Sequence, residues 1–216
     1  MSLFRKFYKM MFEDKEYDFC STQFSVPYPF TSKIYDFGLK NIPNSKLADE
    51  KEHSSPRQVI DDIHLTVLFG LKNCNYQDVL GKIVKSGLKS VSTTLGKIGK
   101  FSLDDCDAIY LEVNPSFELA KLRSFIKNNF ENQQTYNEFR PHITLAYVKQ
   151  NSCNHLVGDD VFDGEEISMG ELCFSDQNGT KHAVTLDGFV DLYGKDERIY
   201  RVHEYNTPTP LVNKRG

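Results

Sequence analysis

The chain has little cysteine, and what it has follows no pattern. Cys20, Cys74, Cys106, Cys153 and Cys173 are odd in number, scattered, and without C-x-x-C spacing. That excludes a disulfide framework and a cysteine-based zinc site, and it favours a reducing, cytoplasmic setting. No apolar run approaches the ~20 residues that a membrane span requires. A basic excess is missing too: 26 Lys and Arg stand against 30 Asp and Glu, a formal net charge of −4. General duplex nucleic-acid binding needs the opposite sign, although a local basic pocket for one small anion remains compatible. Glycine-rich phosphate-cradling loops are absent. Four of the six histidines, His53, His155, His182 and His203, show no metal-ligand spacing. His155 with Asp159 and Asp160 comes nearest and lacks a second histidine at helical or strand spacing. Neither a metal nor a cofactor is therefore expected.

What is present is an ordinary globular composition, 39 % hydrophobic and 26 % charged over 216 residues. That length builds one well-buried domain or two small lobes sharing a cleft. Residues 1–16 form an amphipathic, partly basic leader without the apolar core of a signal peptide. Residues 17–187 carry the patterned part of the chain, and 188–216 read as an extension or tail. Within the patterned part, 17–26 reads as a strand closed by Pro27 and Pro29, followed by a helix over 30–39. The segment 41–57, polar and broken by Pro43 and Pro56, is a long loop of the kind that is often functional or mobile. A strand over 63–71, a helix over 75–85 and strands over 89–100 and 108–113 follow, the last two separated by the acidic run Asp104 to Asp107. Ser116 is a cap for a helix reaching about Phe130, with Leu119, Leu122, Phe125 and Ile126 as its stripe. A second strand begins at His142, and 167–174 with 182–186 form a hairpin around Asp176-Gln177-Asn178-Gly179.

Two stretches read as copies of each other: His64-Leu65-Thr66-Val67-Leu68-Phe69 and His142-Ile143-Thr144-Leu145-Ala146-Tyr147. Each is rich in β-branched and aromatic residues, a strand signal. Period-2 alternation places His64, Thr66 and Leu68 on one face and Leu65, Val67 and Phe69 on the other. By the same rule His142, Thr144 and Ala146 share a face, with Ile143, Leu145 and Tyr147 opposite. Phe69 and Tyr147 are thus expected in the core, away from the histidines. One His-x-Thr on a strand is ordinarily a structural pair, but two matched copies ask for a chemical explanation.

Imidazole has an ordinary pKa near 6.5, so two of them across a cleft can divide the roles of base and acid. Displacement at phosphorus needs both: one group takes the proton from the attacking oxygen, the other protonates the leaving oxygen. Threonine hydroxyls two residues along each strand would donate to the non-bridging oxygens as charge builds there. His64 and His142 are therefore the candidate acid–base pair, and Thr66 and Thr144 the candidate phosphate binders. Arg140 would share the His142 face if the strand reached it, making it a candidate substrate contact against which Pro141 argues. Tyr28 is a candidate stacking group. Lys72 and Lys149 lie just past their strands and read as surface lysines.

The paired strands, with Pro141 immediately before the second, resemble the two-histidine (2H) phosphoesterase superfamily, which includes 2′,5′ RNA ligase-like proteins and cyclic-nucleotide phosphodiesterases. The stretches YDFCSTQFSVP, DDIHLTVLFGL and EFRPHITLAYVK look most like bacteriophage and bacterial members. The resemblance implies an α+β, bilobal fold with a pseudo-twofold axis, antiparallel sheets lining a central cleft and helices outside. It also implies metal-independent phosphodiester chemistry on a small or cyclic nucleotide, an oligonucleotide or an RNA end, including nucleotide signals of host defence. Which histidine acts as the base is left open. An enzyme is the first reading; a module that binds and sequesters such a nucleotide without cleaving it is the second.

Overall fold

The computed structural model describes residues 19–49, 56–58, 60–133, 138–187 and 203–205. The leader over 1–16 and most of the extension over 188–216 lie outside the described residues. In chain order the elements are β1 (Cys20–Ser25), α1 (Phe30–Asn41), β2 (His64–Leu71), α2 (Tyr76–Lys85), β3 (Val91–Ser102), β4 (Cys106–Val113), α3 (Phe117–Asn129), β5 (His142–Lys149), β6 (Glu166–Met169), β7 (Glu171–Ser175), β8 (Lys181–Thr185) and β9 (His203–Tyr205). Helices α2 and α3 start where capping side chains satisfy free backbone amides. Asn75 Oδ1 accepts from the Asp78 amide at 3.0 Å, and Ser116 Oγ accepts from the Leu119 amide at 3.2 Å. At the C-terminal end of α1, the Arg57 guanidinium donates to the Gly38 carbonyl at 2.8 Å and to the Ile42 carbonyl, which neutralises the negative helix terminus.

The strands form one antiparallel sheet in the order β6-β3-β4-β5-β2-β1-β7-β8-β9, with the two histidine strands adjacent at its centre. Each histidine strand lies beside the strand that precedes it across a helix: β1-α1-β2 on one side, β4-α3-β5 on the other. This repeated unit is the pseudo-twofold relation, and the axis passes between β2 and β5. Those two strands pair only at Leu65 and Ile143, both completely buried. Each of these side chains contributes about 1.5–3 kcal/mol of burial at the seam. Beyond that point the strands part, and each free edge is taken by the polar stretch leading into the other. Leu47 and Arg57 bridge to Val148 and Ala146 of β5, while Asn132 bridges to Leu71 of β2. The described part of the 41–57 loop is thus fastened to the sheet, and Lys149 donates to the Ser45 carbonyl at 2.8 Å.

The three helices cover one face of the sheet. Ile34 of α1, Val79, Leu80 and Ile83 of α2, and Leu119, Leu122 and Ile126 of α3 join the buried residues of the strands in one core. The helices also cross the seam, with α1 packing on β5 and α3 on β2. The opposite face carries the histidines, and no helix among the described residues covers it.

Several expectations need correction. Residues 167–174 are not one strand: the chain divides at Gly170, β6 pairing with β3 in one half and β7 with β1 in the other. Asp107 belongs to no turn but to β4, where it is buried and receives Lys100 Nζ at 3.1 Å. Within the extension, β9 adds to the edge of β8.

A further correction bears on the site. Residue 67 of β2 and residue 145 of β5 are both skipped in pairing with the outer neighbour: Thr22 pairs with Leu68 and Gln23 with Thr66, Ile109 with Ala146 and Tyr110 with Thr144. These are β-bulges at equivalent positions of the two motifs, and a bulge reverses the alternation beyond it. Directly paired residues share a face. Ser21 pairs with Phe69 just as Gln23 pairs with Thr66, and Ala108 pairs with Tyr147 just as Tyr110 pairs with Thr144. Phe69 and Tyr147 therefore stand on the histidine face, while Leu68 and Ala146 turn into the core. The carbonyls freed at the bulges are satisfied from outside the sheet ladder: Val67 O accepts from Arg123 of α3, and Leu145 O from the Gln58 amide.

Candidate functional site

The register of the seam assembles the site. With Leu65 opposite Ile143 in antiparallel strands, one residue further in each direction sets His64 opposite Thr144 and Thr66 opposite His142. Side chains of these four residues project from the same face, half-buried, around the line where the lobes meet. Each imidazole thus has a threonine from its own strand and another from across the seam.

Both rings are held in the same way. His64 Nδ1 lies 2.6 Å from the carbonyl of Asp62, and His142 Nδ1 lies 2.8 Å from the carbonyl of Arg140. A carbonyl oxygen can only accept, so each Nδ1 carries the proton and each Nε2 is the nitrogen left for chemistry. In both copies the Nδ1–H is held by the residue two positions upstream.

The surroundings of the two rings differ. Beside His64, the Asp62 carboxylate stands 3.3 Å from Nδ1, the Gln58 amide 3.4 Å away, and Lys181 of β8 is ion-paired with Asp62. Burial raises the Asp62 carboxyl, but the hydrogen bond and charge of His64, together with Lys181, outweigh it and hold the group at about 2. Beside His142 the contacts are aromatic. Phe101 meets the ring edge-on at 5.0 Å and Tyr110 lies tilted at 5.3 Å, the two aromatics stacked on each other at 4.1 Å. Burial pushes His142 below the ordinary histidine value; its bond to the Arg140 carbonyl opposes this, and the charge of His64 adds to it.

The remaining candidates are placed less centrally. The strand does not reach Arg140, which contributes its carbonyl to His142 while its exposed guanidinium pairs with Glu138 at 2.8 Å. Tyr28, 58 % exposed, sits on the β1–α1 connection, three residues past the Ser25 that pairs with His64. Lys72 lies over the Phe19 ring at 5.5 Å. Among the described residues no cluster of three or more His, Cys, Asp or Glu gathers as a metal site. Sequence reasoning missed Asp62, whose only signal was an acid two residues before His64. It also missed Lys181, Phe101 and Tyr110, which strand pairing alone brings in.

The fold and this site define a class: a duplicated α/β unit with a central antiparallel sheet and a His-x-Thr strand from each half. The sequence matches the 2′-5′ RNA ligase superfamily over residues 52–163, just over half of its length, and the chain belongs to that superfamily. The fold is shared with LigT of Escherichia coli complexed with 3′-AMP, at a TM-score of 0.54 and 16 % identity, covering 87 % of this chain and 94 % of the other. The protein TT0787 of Thermus thermophilus aligns at a TM-score of 0.55 and 14 % identity over 79 % and 91 %. Kluyveromyces marxianus Usb1 with uridine monophosphate aligns at 0.53 and 12 % identity over 78 % and 99 %. Among curated proteins none matches the sequence.

Proposed function

We propose that this protein is a phosphodiesterase of the two-histidine type, cleaving a phosphodiester in a small or cyclic (oligo)nucleotide or an RNA end without a metal. The observation that carries the reading is the pair of imidazoles, each with Nδ1–H bound to the carbonyl two residues upstream and Nε2 turned away from that carbonyl, flanked crosswise by Thr66 and Thr144. His142, held down by burial, is neutral near pH 7 and serves as base; its Nε2 takes the proton of the attacking oxygen as the new P–O bond forms. His64 serves as acid, and its Nε2 proton passes to the leaving oxygen as the old P–O bond breaks. The two threonine hydroxyls donate to the non-bridging oxygens as they gain charge. A nucleotide-sized substrate fits the company of the fold, since solved relatives hold 3′-AMP and uridine monophosphate. Carried by a phage, such an enzyme would destroy a cyclic nucleotide signal of its host.

The test is turnover of 2′,3′-cyclic nucleotides, 2′–5′ oligoadenylate, and cyclic di- and trinucleotides with excess chelator, for the wild type, His64→Ala and His142→Ala. We expect one substrate class to be cleaved, and each substitution to cost about 10²–10⁴-fold in turnover while binding persists. Tight binding with every substrate recovered intact would instead make the protein a sequestering module.

A further inference from the structure

We propose that Asp62, anchored by Lys181, is a positioning residue that holds His64 as the proton donor of the pair. The inference rests on the acid–base reading above and adds two residues outside the His-x-Thr motifs. The second copy shows what the first would be without them. His142 Nδ1 bonds the Arg140 carbonyl while the Phe101 and Tyr110 rings pack on the imidazole, so among the described residues a backbone acceptor serves this nitrogen. His64 has the equivalent carbonyl and, in addition, the Asp62 carboxylate at 3.3 Å from the same nitrogen. The surplus carboxylate is not needed for orientation; what it adds is negative charge behind the ring, opposite the nitrogen that faces substrate. A carboxylate placed there faces the positive charge that the ring carries until the leaving oxygen takes the Nε2 proton.

Lys181 makes the arrangement a built one. It arrives from β8, 119 residues away in sequence, and its ammonium contacts Asp62 Oδ1 with both side chains partly withdrawn from water. The other titratable groups on this side do not substitute for Asp62. Glu171 of β7 accepts from Ser25 Oγ at 2.8 Å. The Cys173 thiol is pushed up to about 11, chiefly by burial, and carries no charge near neutrality. His142, across the seam, is the other member of the pair. Asp62 is thus the carboxylate that faces His64 Nδ1, and Lys181 keeps it in place.

The experiment compares the pH dependence of kcat/KM for wild type and Asp62→Asn, on the substrate class found above. A residue that only supports the fold lowers the whole profile. A residue that holds the acid's proton moves the alkaline limb toward acid when it is removed, with the acid limb in place. An unmoved alkaline limb overturns the proposal.

A second measurement needs no substrate and separates this inference from the functional reading. If Asp62 favours charged His64, then His64 favours charged Asp62 to the same extent. In carboxyl 13C NMR, Asp62 of the wild type should titrate at about 2, and His64→Gln should move it up toward 3.8. An Asp62 titration indifferent to His64→Gln removes the link whether or not the protein cleaves anything. Failure to cleave any substrate, with the carboxyl link intact, would overturn only the phosphodiesterase reading.

Discussion

Asp62 and Arg140 occupy the same position in the two copies of the motif, two residues before the histidine, and carry opposite charges. Both give a backbone carbonyl to the Nδ1–H of their histidine. Only Asp62 turns its side chain back to the ring, whereas Arg140 turns outward to Glu138. The duplicated backbone makes the rings alike, and these two side chains, with the aromatics around His142, make them different. A reaction that needs an acid on one side and a base on the other requires that difference.

The first prediction concerns pH. His142 is held below its ordinary value, with burial as the main cause, and Glu112 opposite it on β4, Tyr110 and His64 are the titratable groups around it. A base works in its neutral form, so activity is lost as pH falls through the His142 value. The acid limb of kcat/KM should therefore lie below pH about 6.5, the ordinary histidine value. A limb above that point would remove His142 as the base.

The second separates hydroxyl from shape at the threonines. Thr66→Val and Thr144→Val keep the β-branched form that the strands prefer and delete the donor. Each should cost about 10²-fold in kcat, because the hydroxyl acts on charge that develops during reaction. Thr→Ser at the same positions should retain most of the activity. Equal loss from Val and Ser would assign the threonines to strand packing.

The third concerns the glycines of β2 and α2. Gly70 has φ +97°, and a Cβ there would collide with the Gln133 carbonyl oxygen, in the segment that covers the free edge of β2. Gly70→Ala should cost about 1–2 kcal/mol from conformation alone, and more from the clash. Gly81 lies inside α2, and a methyl group added there would meet nothing within 4 Å, so Gly81→Ala should gain about 0.5–1 kcal/mol. In a chain of this size the two should move Tm in opposite directions, by about 2–4 °C per kcal/mol, as calorimetry would show.

Local structure and the chemical types at the site were legible in the residues alone. Ser116 capped its helix, Asn178-Gly179 made its hairpin turn, and the two His-x-Thr strands announced themselves, because each depends on residues close in the chain. Even the half-buried positions of His64, Thr66, His142 and Thr144 follow from alternation over the first three residues of each strand. Alternation failed at Phe69 and Tyr147, since a bulge depends on what the neighbouring strand skips and leaves no mark in its own residues. The division of 167–174 at Gly170 likewise depends on which strand edge each half meets. It took the folded chain to bring Lys181 to Asp62 and to set Thr144 opposite His64, through pairings between residues far apart in sequence. The asymmetry of the two histidines has the same origin, because it arises from the burial and charge that distant elements supply.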